Sequence, residues 1–164
     1  GRLGKLFANF CLHFGAKVYF YDPFKKNSEK NIKKVFNLKK FLKMIDVLSI
    51  HIHLNENTKH FVNKKIFSHM KKDILIINTS RGEIINEDDL INFMKKNLKS
   101  KFAADVISHE LGNIKKSKLI KYFKKNKKRF ILTPHLGGST YQAQKIAYFK
   151  SLESLIKIDK KSKY

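Results

Sequence analysis

The chain has 164 residues, and its 36 Lys and Arg against 13 Asp and Glu give a formal net charge of +23. This length favours one domain with a hydrophobic core. No apolar run approaches the ~20 residues that cross a bilayer, and no secretory leader opens the chain, so we expect a cytoplasmic protein without a membrane partner. The single cysteine, Cys11, excludes an internal disulfide and a cysteine-ligated metal site. We expect Cys11 to be a small buried hydrophobic residue, and we expect the protein to hold no metal.

The positive charge has two interpretations. A basic surface is typical of nucleic-acid-binding proteins, but it requires clustering of the charge on one face. Lysines occur in almost every segment, together with many Asn, Ile, Phe and Tyr residues and no Trp, which is the set that A/T-rich codons encode. We therefore favour a compositional origin and expect no specific nucleic-acid partner. The densest basic run, 115–129, is predicted to be a solvated helix with an apolar side formed by Leu119, Ile120, Tyr122 and Phe123.

Apolar runs of strand length alternate with longer amphipathic segments, a pattern typical of repeated βα units that build a parallel sheet. Strands are predicted over 17–22, 46–51, 73–78, 102–105 and 130–133. Further helices are predicted over 5–13, 36–44, 63–70, 86–96 and 139–158. Gly15 is expected to end the first helix, and Asn86 to cap the helix that it opens.

Gly1 and Gly4 open the first predicted helix, and the strand that follows this helix ends in Asp22. In dinucleotide-binding βα units the helix amides hold the pyrophosphate, and a carboxylate after the second strand binds the adenosine ribose diol. A carboxylate there also disfavours a 2′-phosphate, which favours NAD over NADP, although two nearby lysines oppose this effect. The alternative for Asp22 is a turn residue before Pro23. The glycine pair is a weak signal by itself, and its context strengthens it.

A buried strand over 73–78 delivers Arg81 to the carboxyl edge of the predicted sheet, where ligands bind in open α/β folds. A planar guanidinium can bind a carboxylate through two parallel hydrogen bonds. Arg81 is therefore a candidate for binding an acidic substrate. The alternative is a structural or solvated arginine.

His135 lies between Pro134 and two glycines, on a constrained loop that follows the last predicted strand. Imidazole is suited to exchange the proton that accompanies hydride transfer from an alcohol. A neighbouring carboxylate would orient the ring and favour its charged form, and Glu110 is the candidate for it. The alternative for His135 is a structural loop histidine. His51 and His53 also follow a predicted strand and could line a cofactor edge.

Taken in order, these motifs resemble the D-isomer-specific 2-hydroxyacid dehydrogenase family, which includes D-3-phosphoglycerate, D-lactate and glycerate dehydrogenases. The matching stretches are Gly-Arg-Leu-Gly-Lys from Gly1, Val-Tyr-Phe-Tyr-Asp-Pro from Val18, Asp-Val-Leu-Ser-Ile-His from Asp46, Asn-Thr-Ser-Arg-Gly-Glu from Asn78, Ala-Ala-Asp-Val from Ala103 and Leu-Thr-Pro-His-Leu-Gly-Gly-Ser-Thr from Leu132. The resemblance implies a Rossmann-type, doubly wound parallel sheet with helices on both faces, its first strand missing. It also implies NAD as the cofactor and a small 2-hydroxy or 2-oxo acid as the substrate.

The resemblance further implies a role for each matching residue. Arg81 would bind and polarise the acid, His135 would exchange the proton, and Glu110 would support the histidine. The implied cofactor contacts are Gly1, Arg2, Leu3, Gly4, Asp22, His53, Thr79, Ser80, Arg81, Asp105, His135, Gly137 and Gly138. The family usually has proline where this chain has His53 and Leu111, and neither change removes a chemical group.

The predicted organisation is an NAD-binding domain over 1–158, incomplete at its amino end, and a basic tail over 159–164. The family's separate substrate domain is absent, so we expect the 164 residues alone to be inactive and the complete protein to be a homodimeric enzyme. The alternative function is a non-catalytic NAD-sensing or nucleic-acid-binding module on the same fold. A sensor would need none of Arg81, Glu110 and His135.

Overall fold

The computed structural model describes residues 1–25, 31–108, 110 and 117–161. The chain divides into two compact units, Gly1–Leu132 and Thr133–Tyr164. The strands of the first unit are β1 (Val18–Phe20), β2 (Ile32–Lys34), β3 (Val47–Ile50), β4 (Leu75–Asn78), β5 (Lys101–Ala104) and β6 (Phe130–Leu132). Its helices are α1 (Arg2–His13), α2 (Leu38–Met44), α3 (Lys64–Phe67), α4 (Glu87–Lys96) and α5 (Lys118–Lys125).

All strand pairs in the described chain are parallel. β1 pairs with β2, and the second sheet has the order β3-β4-β5-β6. The predicted α/β fold with a parallel sheet is therefore confirmed. β2 was not predicted, because Ile32–Lys34 offers one apolar residue followed by two lysines.

The first two predicted strands, now β1 and β3, belong to different sheets. Val47, on the edge strand β3, keeps 48% of its surface exposed. β1 and β3 are therefore not hydrogen-bonded neighbours in the described chain.

The core lies between the second sheet and the helices around it. Its fully buried side chains include Ile74 and Ile76 at β4, Leu90 and Met94 on α4, and Leu42 on α2. β4 lies between two parallel neighbours, which explains why its sequence is a continuous apolar run.

Polar side chains define where helices α2 to α5 of the first unit begin. Asn37, Asn63, Asn86 and Ser117 each accept a hydrogen bond from a first-turn amide, which satisfies a donor that the helix leaves open. The predicted cap at Asn86 is confirmed, and its partner is the backbone N–H of Asp89.

The predicted burial of Cys11 is wrong. None of the α1 side chains is buried, Cys11 is half-buried, and the apolar residues Leu3 and Phe10 are 60% and 57% exposed. The physical reason is that β1 and β3 stand in separate sheets, so the described residues do not cover the apolar side of α1. Gly15 ends this helix as predicted, with φ at +80°.

The helix in the described part of the basic run over 115–129 has the predicted apolar side. Of its described part, Leu119 of α5 is buried, and Phe123 packs against the core. A short 3-10 turn, Lys127–Arg129, then leads into β6. Residues 115 and 116 lie outside the described part of the chain.

In the second unit, helix α6 covers Tyr141–Lys161. It begins later than the predicted Ser139, because Thr140 Oγ1 accepts a hydrogen bond from the backbone N–H of Ala143. It also extends past the predicted end at 158, so residues 159–161 of the predicted tail are helical. Residues 162–164 lie outside the description. None of the helices in the described residues is long and apolar enough to span a membrane.

Candidate functional site

The segments that follow β3, β4 and β5 lie at one edge of the second sheet, because parallel strands share a direction. Asn78, the last residue of β4, is 1% exposed and holds the turn that follows. Its Nδ2 donates to the carbonyl oxygen of Arg81 (2.9 Å), and its Oδ1 accepts from the backbone N–H (3.1 Å) and hydroxyl (2.8 Å) of Ser80. The backbone of Thr79 to Arg81 is thereby fixed at the sheet edge.

The side chain of Arg81 is exposed at this edge. One guanidinium nitrogen, Nη1, donates to the carbonyl oxygen of Ser80 at 2.6 Å. A guanidinium carries five N–H donors, so this bond orients the group and leaves donors for a carboxylate. Thr79 is likewise exposed and Ser80 is half-buried.

Gly82 joins the Arg81 turn to the segment after β5. A Cβ on Gly82 would lie 1.9 Å from the carbonyl carbon of Ile107 and 2.2 Å from the backbone nitrogen of Ser108. Only a residue without a side chain permits this approach of two backbones. The Arg81 turn and the 105–110 segment are therefore in direct contact.

Two carboxylates hold the 105–110 segment in place. The backbone N–H of Ile107 donates to Glu110 Oε1 (2.8 Å), and the backbone N–H of Ser108 donates to Glu87 Oε1 (2.8 Å). Glu87 stands in the first turn of α4, while Glu110 is half-buried on the segment itself. Asp105, at the start of the segment, is buried, and its backbone N–H donates to the carbonyl oxygen of Asn78 (3.1 Å).

His135 belongs to the second unit, three residues after β6. Its backbone has φ at +54°, in the left-handed region that residues other than glycine rarely adopt. Its carbonyl oxygen accepts a hydrogen bond from the Ser139 hydroxyl (3.3 Å). His135 and Gly138 are exposed, and a Cβ on Gly138 would meet no atom within 4 Å. Gly137 is also exposed. In the structure the loops that bear Arg81 and Glu110 are in contact, whereas the contact of His135 with the substrate that they would bind remains a prediction.

The start of α1 has the properties of an anion site. Gly1 caps the helix without a side-chain hydrogen bond, and the first turn contains no acidic residue, so its amides are not neutralised by side chains. Arg2 and Leu3 are exposed in this turn. Gly4 fits closely against the end of β3, since a Cβ there would lie 3.2 Å from Cβ of His51.

Asp22 follows β1 and is half-buried. Its Oδ1 accepts hydrogen bonds from the backbone N–H of Phe24 (2.9 Å) and of Lys25 (3.1 Å). These bonds support the turn-residue interpretation. They also hold the carboxylate at the end of β1, where the predicted ribose contact would lie.

His51, and not His53, is enclosed beside α1. Its ring lies 5.5 Å from the ring of Phe7, and its Nε2 is 2.8 Å from the hydroxyl of Ser49. Burial lowers the pKa of His51 below its ordinary value. His53 is exposed, and its carbonyl oxygen accepts from the hydroxyl of Thr58 (2.6 Å).

The sequence analysis gave no role to Asn78, Gly82 or Glu87. A signal existed for Asn78, because it is the polar last residue of a buried apolar strand. Gly82 directly follows Arg81, which could have indicated a close approach of backbone. Nothing in the sequence connects Glu87 to Ser108, since the contact depends on how α4 and β5 pack. In the described residues, no cluster of three or more His, Cys, Asp or Glu side chains is arranged to hold a metal ion.

The fold and the sheet-edge residues define a nucleotide-binding α/β domain, and comparison with known proteins gives its family. The family model described as "D-isomer specific 2-hydroxyacid dehydrogenase, NAD binding domain" matches residues 1–137. The chain belongs to this family.

Individual relatives agree with this assignment. Hydroxypyruvate reductase of Thermotoga maritima is 30% identical over 159 residues, which are 96% of this chain and 50% of that protein. D-3-phosphoglycerate dehydrogenase of Escherichia coli is 32% identical over 160 residues, 96% of this chain and 38% of that protein. The structure of D-lactate dehydrogenase from Aquifex aeolicus, complexed with NAD and lactic acid, has a TM-score of 0.81 at 26% identity and covers 98% of this chain and 52% of that one. The chain therefore spans about half, or less, of the length of these proteins.

Proposed function

We propose that the full-length protein is an oxidoreductase that transfers a hydride between NAD and the CH–OH group of a D-2-hydroxy acid, and that it reduces a 2-oxo acid in reverse. The observation that carries this proposal is the close contact of Gly82 with the 107–108 peptide. This contact places the turn of Arg81 against the segment that bears Glu110, at the edge of the sheet where ligands bind in this class of fold.

The residues around α1 and β1 fit NAD. The uncapped first turn of α1 offers amides to a pyrophosphate, and the carboxylate of Asp22 offers an acceptor to a ribose diol. When bound, NAD supplies the hydride acceptor, and NADH supplies the donor. Thr79, Ser80, Asp105, Gly137, Gly138 and His53 are the further cofactor contacts that we propose.

Arg81 binds the carboxylate of the acid. Its bond to the Ser80 carbonyl oxygen limits the directions that the guanidinium can take, so its remaining donors are held ready for two parallel hydrogen bonds. The same positive charge polarises the adjacent C–O group of the substrate, which favours hydride transfer at that carbon.

His135 is the acid and base. In oxidation it removes the hydroxyl proton as the hydride leaves carbon, and in reduction it returns a proton to the oxygen. Glu110 favours the protonated ring through its charge. The Ile107 amide holds this carboxylate at 2.8 Å, so Glu110 is fixed before the substrate binds.

The remaining proposals concern the complete protein. NAD-binding residues extend over 1–158, a separate domain completes the substrate cleft, two copies form a homodimer, and the enzyme works in the cytoplasm on a small 2-hydroxy or 2-oxo acid. No sequence-specific nucleic acid and no membrane is part of this function.

Steady-state assays of the full-length protein with NADH and a panel of 2-oxo acids test the proposal. We expect turnover, and we expect Arg81→Lys to raise KM for the acid and lower kcat, because a lysine cannot form the two-pronged contact. Lys43→Arg, at an exposed position before β3 and so at the opposite edge of the sheet, is the matched control and should leave both constants unchanged. If the native protein binds NADH but reduces none of the 2-oxo acids, a non-catalytic NAD-sensing role replaces our proposal.

A further inference from the structure

The charged residues are divided between the two edges of the sheets. Segments that precede strands β1, β3, β4, β5 and β6 (15–17, 43–46, 71–74, 95–100 and 124–129) carry 12 basic residues and two acids. Described segments that follow strands β1, β3, β4 and β5, each taken through the first three residues of the next helix where that helix is described (21–25, 51–66, 79–89, 105–108 and 110), carry five basic residues and eight acids. A compositional surplus of lysine alone would place similar charge at both edges.

Helix dipoles explain only part of this division. In a parallel α/β fold the last turns of helices lie at the amino edge of the sheet, where cations are favoured. This accounts for basic residues in the last turns of α4 and α5. It does not account for Lys72, Lys99, Lys127 or Lys128, which lie outside these two helices and are exposed to solvent. Lys127 and Lys128 belong to the single 3-10 turn before β6.

Two basic residues of this edge have structural partners. Lys71 pairs with Asp46 at 2.7 Å. Arg129 donates from Nη1 to the carbonyl oxygens of Met94 (3.1 Å) and Asn97 (3.3 Å), and so it closes the end of α4. We define the amino-edge surface as six of the exposed lysines around these two, namely Lys43, Lys72, Lys96, Lys99, Lys127 and Lys128.

A concave site lies within the amino-edge surface. A cavity of about 540 Å³ is lined by Lys72, Asp73, Lys96, Asn97, Leu98 and Lys99. Three ammonium groups and one amide therefore surround a recess that contains a single carboxylate. The net charge of its lining is positive, and it contains no aromatic residue.

We propose that the amino-edge surface binds the phosphate backbone of nucleic acid without sequence selectivity. Neighbouring strands lie ~4.8 Å apart, so the lysine-bearing connections before β3 to β6 span roughly 14 Å. A duplex strand presents one phosphate per ~3.4 Å, hence about four phosphates along this distance. An extended polyanion can therefore contact several connections at once. A protein partner fits the surface less well, because protein interfaces are depleted in lysine and enriched in aromatic residues.

The test is fluorescence anisotropy of the full-length protein with labelled duplex DNA of two unrelated sequences, over a series of salt concentrations. We expect similar binding of both sequences. The triple variant Lys72→Glu, Lys96→Glu, Lys99→Glu should weaken binding by about tenfold or more and reduce the salt slope by about 3. The matched control is Lys59→Glu, Lys64→Glu, Lys65→Glu, which changes the net charge equally at exposed positions of the other edge. It should weaken binding by no more than about threefold.

Several results would overturn this proposal. They are the absence of binding at low salt, equal losses in the two triple variants, or selective binding of one sequence. Binding of heparin or of anionic vesicles that depends on Lys72, Lys96 and Lys99, without binding of DNA, would assign the surface to another polyanion and would also refute it. The triple glutamine variant at the same positions excludes unfolding as the cause of weaker DNA binding, provided that its melting temperature is unchanged.

Discussion

Gly82 and Ile107 are in backbone contact, and this contact connects the two loops on which the proposed chemistry depends. A Cβ on Gly82 would lie 1.9 Å from the carbonyl carbon of Ile107. The neighbouring amide, that of Ser108, is at the same time held by Glu87 of α4. The arginine turn, the glutamate segment and the start of α4 are thus parts of one rigid arrangement within the first unit.

Replacing Gly82 by alanine should therefore harm both stability and activity. The added methyl group must displace backbone, and overpacking of this kind costs about 1–3 kcal/mol. The free energy of unfolding, measured by urea titration, should fall by that amount, and kcat/KM should fall as Arg81 moves. Gly138→Ala is the control for stability, because its Cβ would meet no atom within 4 Å. It should change the free energy of unfolding by less than about 0.5 kcal/mol. Similar losses in both variants would contradict the role given to the Gly82 contact.

The two interpretations of Asp22 can be separated by two substitutions. Asp22→Asn keeps an Oδ1 acceptor for the amides of Phe24 and Lys25 but removes the negative charge, whereas Asp22→Ala removes both. If the carboxylate binds the ribose diol and repels a 2′-phosphate, Asp22→Asn should weaken NAD more than NADP, with little change in stability. Binding constants for the two cofactors, measured by calorimetry, check this. If Asp22 is only a turn residue, Asp22→Asn should not weaken NAD more than NADP, and only Asp22→Ala should lower the stability.

Burial of His51 should make the stability of the protein depend on pH. Its pKa is lowered in the folded state, so below the ordinary value of about 6.5 the unfolded chain binds more protons than the folded one. The stabilisation from this group is therefore complete above about pH 6.5 and is lost as the pH falls through the lowered pKa. Urea titrations across this range should show a weaker pH dependence for His51→Gln than for the native protein. His13→Gln, at an exposed histidine of α1, is the control. An identical pH dependence in the native protein and in His51→Gln would refute the assignment.

Much of the fold could be predicted because local signals agree with the tertiary structure. The unbroken apolar run before Asn78 predicted a buried strand, and Asn86 predicted the start of α4. β2 could not be predicted, because a three-residue strand with two lysines lacks any pattern that separates it from a loop. Cys11 was placed wrongly for another reason. The amphipathic pattern of α1 shows which side is apolar, but not whether anything covers that side.

The candidate site could likewise be predicted only in part from the sequence. Arg81, Glu110 and His135 could be proposed from residue type and position after strands, and the resemblance added their roles. The hydrogen bonds that hold the Arg81 turn and the 105–110 segment could not be predicted. Those from Ser108 to Glu87 and from Asn78 to Arg81 depend on three-dimensional packing. The division of charge between the sheet edges was likewise invisible in the composition, and it appears only when the strand directions are known.

The central claim is that His135 exchanges the proton and that Glu110 favours its charged form. The most direct measurement is the pH profile of 2-oxo acid reduction by the full-length enzyme, its His135→Ala variant and its Glu110→Gln variant. We predict that His135→Ala lowers kcat by ~10² to 10⁴ with NADH binding retained, as loss of a general acid requires. We predict that Glu110→Gln removes the charge that favours the protonated ring, so that the activity in reduction, which needs this ring, shifts to lower pH. Near-normal turnover in His135→Ala, or an unshifted profile in Glu110→Gln, would contradict the account.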